Sequence, residues 1–179
     1  MYDDRPVPAG DDVGGAVIAV QTVEIYASAA EGDGRAALGV VIRDSDGQTL
    51  RVVGRIARPA PPVVVAYRAV LHGVWTAKRL GARRIRVFTE HPEVVAQLTG
   101  DAEVPADLIG LYLQTKAMLN AYRWSSVELI TREQNAAAIQ AAAEALVRGH
   151  AAAVSEEDEL DFLPLWLSAE RVAEPAGHH

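Results

Sequence analysis

AVLHGVWTAKRLGARRIRVFTEHPEVVAQLTG, residues 69–100, carries three changes of pattern in thirty-two residues. It begins inside an amphipathic run from Val65 to Leu80, where Val65, Ala69, Val70, Leu71, Val74 and Ala77 form a wide apolar face with helical spacing. Gly81 then closes the helix in a backbone conformation that suits glycine. Arg84 to Thr89 is a short apolar strand reached by a tight turn, and Pro92 starts a second, short helix to Leu98. A helix, a tight turn, a strand and another helix predict a sheet with helices packed on it.

Working outward, three β-rich runs precede this stretch. Ala16 to Ser28 alternates Val23, Ile25 and Ala27 with Glu24, Tyr26 and Ser28. Glu31-Gly32-Asp33-Gly34 is a turn, Ala36 to Arg43 a second strand, Asp44-Ser45-Asp46-Gly47 a hairpin turn, and Thr49 to Ile56 a third strand. Short connections between sequential strands predict an antiparallel meander. Pro59, Pro61 and Pro62 end it. After residue 100, Pro105 to Tyr122 reads as one helix, Ser126 to Ile130 as a fifth strand, and Asn135 to Arg148 as an Ala-rich helix with Asn135 as N-cap. The fold expected is α/β: a five-stranded mixed sheet, three antiparallel strands followed by parallel additions, flanked by helices. The domain spans 15–150, between an acidic lead-in at 1–14 and an acidic, apolar tail at 151–179.

Composition narrows the function. There is no Cys, which excludes disulfides, thiolate zinc sites and a Cys nucleophile. The start lacks the pattern of a signal peptide, no apolar run is long enough to cross a bilayer, and a cytoplasmic location is expected. His178-His179 is set aside as resembling a tag remnant. The net charge of −7 is concentrated in the two ends, because residues 13–154 carry 15 Lys/Arg against 13 Asp/Glu. Nucleic-acid binding is permitted by that balance but not favoured, since such binders carry a clear basic surplus. A protein partner, or a second copy forming a homodimer, is the preferred expectation, and no membrane is involved.

With these elements in order, the chain resembles the ribonuclease H family, whose members cut the RNA strand of RNA–DNA hybrids. Val23-Glu24-Ile25-Tyr26 is similar to the family's first strand. Residues 69–100 are similar to its first long helix, fourth strand and next helix. Arg132-Glu133-Gln134-Asn135 is similar to the motif before its last helix. The resemblance covers about residues 23–146. It implies a site of four carboxylates holding two divalent cations. Carried over by position, the first acid falls on Ser28, or on Ala27 if the register shifts by one. The second falls on Ala66, ahead of Tyr67-Arg68-Ala69, the third on Glu90, followed by His91, and the fourth on Ile139. The paired Asn residues upstream of the helix are replaced by Pro62-Val63, and the family's His near the fifth strand meets Leu129 or Ile130. One carboxylate cannot compensate two Mg²⁺ ions for lost water. The expectation is therefore a catalytically inactive relative that needs no cofactor. The alternative is an active nuclease using Mg²⁺ or Mn²⁺ at a rearranged site built from Glu90 with Glu31, Asp33 or Glu24.

Each singled-out residue also has a plainer reading. Glu90 is a remnant ligand or a solvated carboxylate at a helix start. Glu31 and Asp33 are substitute ligands or turn residues, and His72 and His91 a relocated site or structural side chains. Lys78, Arg79, Arg83, Arg84 and Arg86 contact phosphate or make a solvated basic helix end. Trp75 and Trp124 are read as core. Leu160, Phe162, Leu163, Leu165, Trp166 and Leu167, preceded by Glu156–Glu159, pack on their own domain or dock on a second copy or another protein.

Overall fold

Alternation and punctuation produce the elements expected of them, with shifted ends. The computed structural model describes residues 22–149. β1 (Thr22–Gly32), β2 (Arg35–Asp44) and β3 (Thr49–Ala57) form the meander; α1 (Pro62–Arg79), β4 (Arg84–Thr89), α2 (Pro92–Thr99), α3 (Ile109–Asn120), β5 (Trp124–Leu129) and α4 (Ala136–Arg148) follow. The sheet order is β3-β2-β1-β4-β5, antiparallel across β1, β2 and β3, with β4 parallel to β1 and β5 parallel to β4. The part of the first strand expected before Thr22, the lead-in and the whole tail with Leu160–Leu167 lie outside the described residues.

Element ends differ from the sequence reading by one to four residues, and four of the shifts bear on the site or the sheet. β1 runs on through Glu31 and Gly32, because the chain reverses in only two residues, Asp33 and Gly34, both at positive φ. α1 starts at Pro62 rather than Val65, since a proline at the first helical position sacrifices no hydrogen bond. The helix expected from Pro105 opens as a 3-10 turn, Ala106–Leu108, before α3 begins. β5 begins two residues earlier than expected, at Trp124, and ends at Leu129.

The core lies between α1, α2 and α3 and one sheet face: Val23, Ile25, Ala27, Val40 and Ile42 meet Val65, Tyr67, Val70 and Val74. α4 packs on the opposite face. Its buried Ala138, Ala141, Ala142 and Ala145 lie over Gly39 and Gly54, which are paired across β2 and β3. Small residues on both surfaces bring helix and sheet backbones close together.

His72 is buried among these elements and is not exposed. Desolvation, reinforced by the Arg55 guanidinium, lowers its pKa from 6.5 to about 4. The unfolded chain therefore takes up this proton before the folded one does. Stability from His72 is complete above about pH 6.5 and drains away as pH falls towards 4. Relative to pH 7, roughly 2 kcal/mol is lost from this source at pH 5. Unfolding free energies from urea titrations at the two pH values should differ by about that much more for the native protein than for His72→Gln.

Candidate active site

β1 and β4 run side by side, pairing Ala27 with Thr89, so the next residues, Ser28 and Glu90, meet at the same end of the sheet. The Ser28 hydroxyl, 1% exposed, donates to Glu90 Oε1 at 2.5 Å. From the start of α4, Asn135 Nδ2 donates to Glu90 Oε2 and, at 3.0 Å, to the carbonyl of Ala27. Both neighbours of that nitrogen are acceptors, which sets the orientation of the amide. Asn135 occupies the N-cap position of α4, but its side chain makes no capping bond, because it is 1% exposed and committed to β1 and β4. Asn135 Oδ1 is buried with no hydrogen-bond partner among the described residues.

Glu90 therefore joins three elements that share no neighbouring sequence. Removing it strands donors on Ser28 and Asn135, and each unpaired buried group carries a desolvation penalty. Glu90→Ala should lose about 2 kcal/mol of stability, and Glu90→Gln less, because its amide oxygen still accepts one bond. Urea denaturation of the two variants checks the order.

Beside this cluster is a cleft of about 280 Å³ lined by Ala29, Glu31, Pro62, Ala66, Thr89, Glu90, His91 and Arg132. Ser28, Ala66 and Glu90 thus converge, and Ile139 lies one helical turn beyond Asn135 on α4. Of the other acids weighed, Glu31 shares the cleft, whereas Asp33 is exposed and pairs loosely with Arg35 at 3.9 Å. Glu24 is at the far end of the sheet, bonded to Arg86. Among the described residues, no group of three or more His, Asp or Glu is placed to hold a metal ion. A pair of hard divalent cations does not fit this donor set: Ala66 and Ile139 offer no side-chain oxygen, and Glu90 is the one carboxylate at the four positions. His91 Nδ1 is buried without a partner among the described residues, and His72 lies elsewhere, in α1. Next to Ala66, the Tyr67 hydroxyl donates to Gln97 at 2.8 Å, and burial pushes its pKa up to about 12.

The basic run is at the other end. Arg84 opens β4, and Lys78 and Arg79 end α1, so the length of β4, about 20 Å at ~3.3 Å per residue, separates Arg84 from Glu90. There Lys78 lies over the Tyr122 ring, Arg79 over Trp75 and Arg84 over Trp124. The two tryptophans are not core residues as expected. Trp75 is half-buried beneath Arg79, and Trp124 is 43% exposed because it opens β5, an edge strand, with the Arg84 guanidinium over its ring.

Known proteins share this architecture. A family model described as "Reverse transcriptase-like" matches residues 25–145. The chain is 29% identical over 131 residues to the "Bifunctional protein Rv2228c" of Mycobacterium tuberculosis, covering 70% of this chain and 35% of that one. It thus spans about a third of the length of that curated relative. Among solved structures, the N-terminal RNase H domain of Rv2228c, studied as a fusion with maltose-binding protein, matches with TM-score 0.68 and 28% identity over 72% of this chain and 95% of that one. RNase H1 from the halophilic archaeon Halobacterium salinarum matches with TM-score 0.68 and 25% identity over 71% of this chain and 98% of that one.

Proposed function

Because the chain belongs to the reverse transcriptase-like family and has the ribonuclease H-like fold, we propose that it is a non-cleaving member working as a binding module. One observation carries the reading: of Ser28, Ala66, Glu90 and Ile139, the positions the family's acids would take, Glu90 alone is a carboxylate, and it is engaged by the Ser28 hydroxyl and the Asn135 amide. In this role Glu90 ties β1 and β4 to α4, and a lone carboxylate poorly compensates two hard cations for lost water. No divalent cation is then required. A protein partner is favoured over nucleic acid, because residues 13–154 have only two more cations than acids. A cytoplasmic location goes with the absence of Cys. Among the described residues no helix is long and apolar enough to cross a membrane.

The test is cleavage of a labelled RNA–DNA hybrid in Mg²⁺ and then Mn²⁺, with Glu90→Ala as control. The native protein should cut no faster than the control. Cleavage abolished by Glu90→Ala would overturn the proposal. It would favour the second reading, a metal-dependent nuclease at a rearranged site, whose support is that Glu31 shares the cleft with Glu90.

A further inference from the structure

Strand register arranges the sheet face on the α4 side into rows. Gly54, Gly39 and Ser28 form one, and α4 lies over it. The next row is Val52, Val41, Tyr26, Phe88 and Glu128. Beyond it come Arg43, Glu24, Arg86 and Ser126, then Thr22, Arg84 and Trp124. The other described helices pack into the core on the reverse face, so none of them covers these last three rows.

This face has a defined chemistry. Arg43 stands 4.9 Å from the Tyr26 ring centre, Arg86 5.0 Å from Phe88, and Arg84 5.8 Å from Trp124. Arg86 is neutralised by Glu24 and Glu128. Arg43 and Arg84 have no carboxylate partner among the described residues. At the β3 edge of the face Val52 is 58% exposed, with Leu50 exposed beside it. A complementary ligand is therefore a segment with carboxylates for the two guanidiniums and large apolar side chains for the valine edge.

We propose that residues 156–167 of this same chain, EEDELDFLPLWL, dock on that face in cis. Charge complementarity is the first argument: five acids stand within the first six residues of the segment. Apolar complementarity is the second, since Leu160, Phe162, Leu163, Leu165, Trp166 and Leu167 follow or interleave with them. Tether length is the third. Gly149, just after α4, packs against Ile56 of β3, on the same strand as Val52. Leu160 is eleven residues along the chain from Gly149. Extended, that stretch reaches about 36 Å, against ~13 Å from Ile56 to Val52 along β3 and ~14 Å across the strands to β4. Pro164 interrupts any continuous pairing with the β3 edge, so side chains carry the contact and not an added strand.

The test uses the full chain with Trp75→Phe and Trp124→Phe, leaving Trp166 as the sole indole, and measures acrylamide quenching alongside sedimentation over a concentration series. Trp166 should be shielded in the monomer. Val52→Glu, at an exposed position, or Arg43→Glu, at a half-buried one, should raise its quenching several-fold, with circular dichroism unchanged. The proposal is overturned if Trp166 is as accessible as a free indole. It is equally overturned if shielding appears only with self-association, which would make a second copy the occupant. Shielding indifferent to both substitutions would place the segment elsewhere and would also overturn it.

Discussion

Gly39→Val is expected to lose upwards of about 3 kcal/mol, above the usual range for overpacking. The reason is what the new Cβ would meet: the Ala138 carbonyl oxygen at 2.0 Å and the Ala142 nitrogen at 2.6 Å. These are backbone atoms of a helix, and no rotamer change moves them. α4 must lift as a unit, withdrawing Ala138, Ala141, Ala142 and Ala145 from the sheet. Asn135, at the start of α4, would be drawn away from Ala27 and Glu90, so its hydrogen bonds to both should loosen with the helix. Gly73 provides the contrast. A Cβ there meets Ile25 Cγ2 at 2.4 Å, a side-chain atom that can yield in part, so Gly73→Ala should be milder than Gly39→Ala. Urea midpoints for the series rank these effects. A loss below about 1 kcal/mol for Gly39→Val would mean that α4 is not held against the sheet as described.

The second large effect is a gain. Ser28→Asp, Ala66→Glu, Glu90→Asp and Ile139→Asp together restore the four acids that the family resemblance places at these positions. The variant should bind Mg²⁺ or Mn²⁺ in calorimetry where the native protein binds neither, and should be stabilised by about 2.7 kcal/mol at a hundredfold excess of cation over its Kd. Ser28→Asp alone should behave in the opposite way. It sets a second carboxylate against Glu90, and two like charges at such a distance raise the pKa of the pair. Its stability deficit should be largest at neutral pH and shrink as pH falls through the carboxylate range. If the fourfold variant shows no cation binding, the cleft has diverged in backbone as well as in side chains.

The order of the elements and the antiparallel meander were legible in the amino-acid sequence, as were the residues standing where the resemblance places acids, Ser28, Ala66, Glu90 and Ile139. These are local properties. A period of two or 3.6 residues, a glycine after a helix, a proline at its start and a missing carboxylate are all legible within a few residues of chain. Element ends were legible only to within a few residues, because Pro62 and Asp33-Gly34 admit more than one local conformation.

Tertiary structure alone decided what those residues do to one another. Asn135 has the residue type of a helix cap, yet β1 and β4 pass close enough for it to hold Glu90 instead. Gly39 and Gly54 look like weak points in their strands until register pairs them beneath α4. Trp124 has the composition of a core residue and lies at the surface under Arg84. In each case the partner is more than ten residues away in sequence, and the choice among partners rests on strand register and on which sheet face a helix covers. A shift of one residue in β1 would turn Ser28 and Tyr26 to the opposite face, so the site exists only once the whole sheet has chosen its pairing.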